Sequence, residues 1–378
     1  MVRNQIFQVG KPASGNHFVG RENEVRIISQ LLAMGQSIVL IAPRRFGKTS
    51  LVLEILRRIK SSEVYTAYVD VFASPTLELL SAQIVEAVLK NHKLDKLFTK
   101  SRNSALAMMK NLKLKAVLED FEFILGFTDT SLNEWGMLQD SIQFIDRFPV
   151  KHRKKMICVF DEFGDVNKLD GDKIVKLFRS GIQNHSNATY IFSGSYESVM
   201  NSIFVRKNSP FFRFARIINL DFIDKRKFIP YFMKISEAFD VQVNSSAVEN
   251  VLDFTEGHPY YSQLALQTII VQYKLTDEVP DLDFLKENLL HTERGYLEKT
   301  WEDIAPGKEN VKVLLALAQS EKHIYSMLRE QGINVYRGLI NLMNKGIILK
   351  GKEGGYKFSD PLFKYWLRKN VIKGIDSH

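Results

Sequence analysis

Cysteine is almost missing: the 378 residues hold one, Cys158, inside an apolar run. A lone thiol excludes an internal disulfide framework and fits a reducing compartment, so the cytoplasm is the expected location. No apolar run approaches the ~20 residues that span a bilayer, and the opening MVRNQIFQVG lacks the apolar centre of a signal peptide. No membrane partner is expected. Internal repeats, low-complexity tracts and clusters at metal-ligand spacing are missing too, which leaves no lead toward a solenoid or a structural metal.

What is present is an ordinary globular composition, 45% hydrophobic, in a chain long enough for two or three domains. The net charge is +9, and its placement matters more than its size. From Pro306 onward thirteen basic side chains face six acidic ones, so most of the excess lies in the last segment. Such a segment suits an anionic partner such as duplex DNA, or is a solvated surface.

Chemistry concentrates at IVLIAPRRFGKTSLVLEIL, residues 38–56. A β-branched apolar run precedes the loop and helical spacing follows it, the strand-to-helix context in which backbone N–H groups and a helix N-terminus cradle phosphate. Lys48 then reaches the β- and γ-phosphates, the Thr49 hydroxyl ligates magnesium, and Gly47 permits close backbone approach. Pro43, Arg44, Arg45, Phe46 and Ser50 complete the loop. Ala42 stands where this motif carries its first glycine, which is tolerable if φ there is negative. Arg44 and Arg45 read either as phosphate contacts or as solvated loop cations.

A second apolar run, MICVFDE (156–162), ends in two acids. Asp161 at the end of a strand beside the loop can hold magnesium through water, and Glu162 can orient or deprotonate the attacking water. A third run ends in SGS (193–195), with Ser193 the better-placed hydroxyl for sensing the γ-phosphate and Ser195 the alternative.

FVGRENEV (18–25), APRRFGKTSL, VFDEF, IFSGS, GHP (257–259) and YKFSDPLFKYWL (356–367) together resemble the archaeal-type ATPase family, within the AAA+-like and signal-transduction P-loop NTPases. The resemblance runs over nearly the whole chain. It implies an α/β fold: a parallel sheet in the order 5-1-4-3-2, then a helical lid, then a winged helix. The strands read from the sequence are 38–42, 64–70, 156–161, 189–193 and 216–221. The resemblance also implies that Val19, Gly20 and Arg21 lie near the adenine, that Pro259 of GHP meets it from the lid, and that alanine at position 42 is ordinary. Relatives often carry glutamine where this chain has Gly164.

Residues 1–228 are expected to form the ATPase domain, with an insertion at about 91–150, 229–300 the lid, and 301–378 the winged helix. A capping box from Ser246 to Glu249 and a Gly257 C-cap bound the first lid helix. Between the second and third strands (71–150), helices begin after Pro75 and at Ser131, and FEFILGF reads as a short strand. Three helices (about 309–319, 322–331 and 333–345) and a hairpin around Gly354 and Gly355 make the winged helix, with Arg337, Lys345, Lys350, Lys352 and Lys357 as its basic residues. The expected activity is Mg-dependent ATP hydrolysis coupled to that segment, with ATP/ADP and Mg2+ as ligands. The alternative is a nucleotide-clamped regulator of DNA or protein with little turnover. No arginine is assigned to a neighbouring subunit, so oligomeric state is left open.

Overall fold

The computed structural model describes residues 9–59, 63–91, 133–195, 197–320, 324, 328, 333–351 and 354–372. Its first half alternates helices and strands: α1 (Glu22–Ala33), β1 (Ile38–Ile41), α2 (Lys48–Ile59), β2 (Val64–Asp70), α3 (Leu77–Leu89) and α4 (Glu134–Lys151). β3 (Lys155–Asp161), α5 (Asn167–Ile182), β4 (Ala188–Gly194), α6 (Glu197–Phe204) and β5 (Arg216–Asn219) follow. The five strands pair in parallel in the order β5-β1-β4-β3-β2, the order that the resemblance implies.

Each central strand is buried on both faces, which explains its unbroken apolar sequence. Met156, Cys158 and Phe160 point into a layer with α3, α4 and α5. Ile157 and Val159 point the other way, onto α1 and α2. The first layer is rich in rings: Phe160 and Phe192 stack at 5.8 Å, and Phe163 lies 4.7 Å from Phe192. These rings form the floor beneath the acids that end β3.

Of the expected insertion, residues 91 and 133–150 are described. α4 buries Leu138, Ile142 and Ile145 in the sheet's own core, so it is a layer of the ATPase fold. Its N-cap is Asn133, whose side chain accepts from the Gly136 N–H; Ser131, the FEFILGF strand and Met108 and Met109 lie outside the described residues.

Past the sheet come α7 (Lys225–Ala238), α8 (Ser245–Thr255), α9 (Pro259–Thr276), α10 (Leu282–Thr292), α11 (Arg294–Ile304) and α12 (Lys308–Gln319). The described chain continues with α13 (Val335–Asn344), an antiparallel hairpin of β6 (Ile348–Lys350) and β7 (Tyr356–Phe358), and α14 (Pro361–Leu367), and ends in a π-helical turn over Arg368–Ile372. The second of the three expected terminal helices falls outside the described residues except for Ile324 and Leu328, both buried. One apolar cluster extends from Ile223 through α7–α12 to Leu367. The hairpin in turn rests on the ATPase fold, where Lys357 Nζ donates to Asp221 Oδ1 at 2.6 Å and lies 4.4 Å over the Phe222 ring.

The cap of α8 is Asn244, whose side chain accepts from the Ala247 N–H at 2.7 Å, not Ser246. Asparagine is at least as good a cap as serine, so the helix starts two residues early. It ends through two left-handed residues, Glu256 and Gly257, the latter at φ +72°. A Cβ on Gly257 would stand 2.0 Å from the Ile223 carbonyl oxygen. Gly257→Ala should therefore cost more than about 2 kcal/mol of stability in urea unfolding; a loss below about 0.5 kcal/mol would contradict this close approach.

Candidate active site

The loop between β1 and α2 turns through two left-handed residues, Arg45 at φ +65° and Gly47 at φ +80°, whereas Ala42 is not among the positive-φ residues. The missing glycine is thereby explained: its position makes no demand that a methyl group violates. Lys48 starts α2 and is 5% exposed. Its ammonium donates to the carbonyls of Ala42 (2.9 Å) and Pro43 (3.0 Å) and to Ser195 Oγ (2.7 Å). Burial pulls its pKa down to about 8, against the pull of the Glu162 and Asp161 charges, so it stays protonated at neutral pH.

Asp161 gathers four donors. Thr49 Oγ1 (2.8 Å) and the Tyr68 hydroxyl (2.7 Å) reach Oδ2, while the Glu162 N–H (3.0 Å) and the Ser193 hydroxyl reach Oδ1. Glu162 is left-handed at φ +50°, a conformation that costs a non-glycine residue roughly 1–2 kcal/mol. Ser195 holds it there, its N–H donating to Oε2 (3.1 Å) and its hydroxyl to Oε1 (2.6 Å). The same hydroxyl accepts from Lys48, so Ser195 ties the loop cation to the second acid.

Arg44, Arg45, Gly47, Lys48, Thr49, Ser50, Asp161, Glu162 and Pro259 line one cleft of about 740 Å³ between the loop and α9. Val19, Gly20, Arg21, Pro43, Phe46 and Ser193 do not. Ser193 lies beneath it with its hydroxyl committed to Asp161, and the serine facing the cleft is Ser195. Arg21, 2% exposed, braces the loop from behind by donating to the carbonyls of Phe46 (3.1 Å) and Asp221 (2.7 Å). Phe46 is buried edge-on to Phe222 and His258. Pro43 lines a second cavity of about 530 Å³ behind the loop.

Tyr68, Asp70, Asp165, Tyr260 and Gln263 line the cleft without having been singled out from sequence. The strand order held the signal for the first two, because it sets the end of β2 beside Asp161. The segment before α1 also reaches the cleft, where the Ala13 N–H donates to Ser50 Oγ at 2.9 Å.

The acids fit a hard divalent ion. Asp70 has its pKa raised by burial and by the neighbouring Asp161 charge, and Glu162 and Asp165 line the same cleft, so negative charge is crowded where a cation would relieve it. The donors are oxygens, as magnesium requires. Among the described residues no three His, Cys, Asp or Glu side chains form a metal cluster.

A parallel sheet in this order, with Gly-Lys-Thr after β1 and Asp-Glu closing β3, defines a P-loop nucleoside triphosphatase. The chain belongs to the family described as an ATPase domain predominantly from Archaea, which matches residues 18–264. Among solved structures it is similar to the Walker-type ATPase of Pyrococcus abyssi, at 19% identity over 95% of this chain and 99% of that one, with a TM-score of 0.67. It is also similar to the ORC2 protein of Aeropyrum pernix, at 12% identity over 99% of both chains, with a TM-score of 0.57. No curated protein matches it.

The GHP and SDP segments meet behind the loop, where the Tyr261 hydroxyl donates to Asp360 Oδ2 at 2.7 Å and the Phe363 N–H donates to Oδ1 at 2.8 Å. Burial nevertheless pushes the Asp360 carboxyl up from 3.8 to about 6. His258, fully inside, is pulled from 6.5 to about 3 by burial and then by the Arg45 and Arg21 charges. The two act oppositely. Asp360 binds its proton more tightly in the folded state, so its contribution to stability is present below about pH 4 and lost as pH rises to about 6. His258 favours the folded state above about 6.5, and that contribution fades as pH falls toward 3. Asp360→Asn should remove the first effect alone, so the stability of wild type relative to the variant should decline between about pH 4 and 6.5. A difference that stays flat across that range in urea unfolding would contradict the shift.

Proposed function

We propose that the protein is a magnesium-dependent ATP hydrolase that works as a switch, with the lid and C-terminal segment as its output. One observation carries the hydrolytic part: Glu162 is held left-handed by Ser195 at the cleft wall, beside Lys48, Thr49 and Asp161. A carboxylate fixed against an oriented serine, near a loop built for phosphate, is placed to accept a proton from an attacking water. Lys48 stays charged at neutral pH and meets the phosphates, where it stabilises the charge that builds on the transferred group. Magnesium, when bound, would neutralise phosphate charge from the Thr49 and Asp161 side. Adenine nucleotides are the substrate class: the Aeropyrum ORC2 structure is of ADPNP–ADP complexes, and this chain shares its fold.

The output reading is supported by contacts that join the loop to the C-terminal hairpin. Phe46 meets Phe222, Phe222 lies under Lys357, and Lys357 bonds Asp221, whose carbonyl also takes Arg21. We read residues 1–228 as the motor, 229–300 as the lid, and 301–378 as a winged helix that moves with the lid. A protein partner suits that segment better than duplex DNA. Lys357 is turned onto Asp221 and Lys345 onto the Asp303 carbonyl, so two of the basic residues expected to contact phosphate face the protein itself.

Phosphate release from Mg-ATP tests the reading. Lys48→Ala should lose nucleotide affinity and turnover together, whereas Glu162→Gln should keep affinity and lower kcat by about 100-fold or more. Bound ATP with no phosphate released by the wild type would replace hydrolysis with a nucleotide clamp. Stimulation by duplex DNA would restore the DNA reading.

A further inference from the structure

Arg45 is the residue whose position the hydrolytic reading leaves unexplained. It lies in the phosphate loop and lines the cleft, yet its guanidinium is engaged by residues past the sheet. The guanidinium lies 4.2 Å over the Tyr260 ring and 4.8 Å over the Tyr296 ring. It also pairs with Glu293, which is 5% exposed and accepts from the Tyr260 hydroxyl at 2.6 Å. Glu293 joins α10 to α11, Tyr260 belongs to α9, and Tyr296 to α11. A single loop side chain therefore touches three lid segments.

Two features make this contact more than packing. Arg45 is left-handed at φ +65°, a backbone state that an arginine keeps only when its surroundings impose it. And Glu293 is a buried carboxylate whose partners are this arginine and Tyr260, so the pair cannot be broken without leaving a charge stranded inside. Burial opposes the Arg45 charge, but the bond to Glu293 and its charge outweigh that and push the pKa up. The flat guanidinium can stack and hydrogen-bond at once, which a lysine ammonium cannot.

We propose that Arg45 is a positioning residue: its clamp to Glu293 and the two tyrosine rings fixes the left-handed step of the phosphate loop and couples nucleotide affinity to the placement of the lid. This deepens the ATPase reading and rests on it. The reciprocal consequence is that a lid held in place tightens nucleotide binding, and bound nucleotide holds the lid.

The test compares Arg45→Lys, Glu293→Gln and their double variant, using a fluorescent ADP analogue with magnesium for affinity, kcat and KM for ATP, and thermal melting to confirm folding. The clamp predicts that each single variant weakens affinity and raises KM by about tenfold, with kcat within about threefold, and that the double variant is no worse than the weaker single. A direct phosphate contact predicts otherwise: Glu293→Gln would release Arg45 and leave affinity unchanged or tighter, which overturns the proposal. Additive losses in the double variant, or lower melting temperatures with unchanged affinity, would also overturn it. If either of these substitutions prevents folding, Tyr260→Phe, which removes one bond to Glu293, carries the same expectation in a smaller degree. Wild-type binding without hydrolysis would sink the ATPase reading and leave the clamp standing.

Discussion

The buried ammonium of Lys48 is the constraint around which the molecule is arranged. A cation taken out of water costs several kcal/mol unless its donors and its charge are both answered. Two carbonyls and a serine answer the donors, and the carboxylates of Asp161 and Glu162 answer the charge. Those groups come from the ends of β1, β3 and β4, which must finish at one level. The register achieves this, with Ile41 beside Gly194 and Phe160 beside Phe192. A parallel sheet makes such convergence cheap, because every crossover returns the chain so that the carboxyl ends share one edge.

Around that centre the loop is held from three directions by different chemistry. Arg21 grips its backbone from below, Phe46 inserts into the aromatic corner of Phe222 and His258, and Arg45 is taken by the lid. An arginine, a phenylalanine and a second arginine thus do work in this chain that the consensus pattern of the loop, which specifies only glycines, lysine and a hydroxyl, leaves unspecified.

How much of this could be read in advance follows from where the information lies. The strands were legible because unbroken apolar runs admit few alternatives, and Lys48, Thr49 and Asp161 were legible because their spacing from strand ends is nearly rigid. Arg21 was singled out through the resemblance alone, as lying near the adenine; what no sequence pattern signalled is that its guanidinium donates to carbonyls 25 and 200 residues away. Ser193 lies inside β4 and Ser195 just past its end, so only the point where β4 stops determines which one emerges at the cleft. Asn244 displaced Ser246 as a cap because two competent caps stood two residues apart. Glu293 could not have been found from the sequence, since a lone glutamate between two helices reads as surface.

The apolar cluster that extends from Ile223 to Leu367 among the described residues has a mechanical consequence. Side chains packed at crystal density transmit displacement and resist shear, so on the switch reading proposed above the helices of that cluster would move together as one lever arm. Its fulcrum would be the short stretch from Asp221 to Asp224, where Ile223 lies against Gly20 and Gly257. Pro259 and Tyr260 sit on the short side of that lever, at the cleft, and the hairpin and α14 on other parts of the same body. A rotation started by a shift of a few tenths of an ångström at the cleft would therefore grow with distance from the fulcrum, and the far surface of the C-terminal helices would sweep furthest.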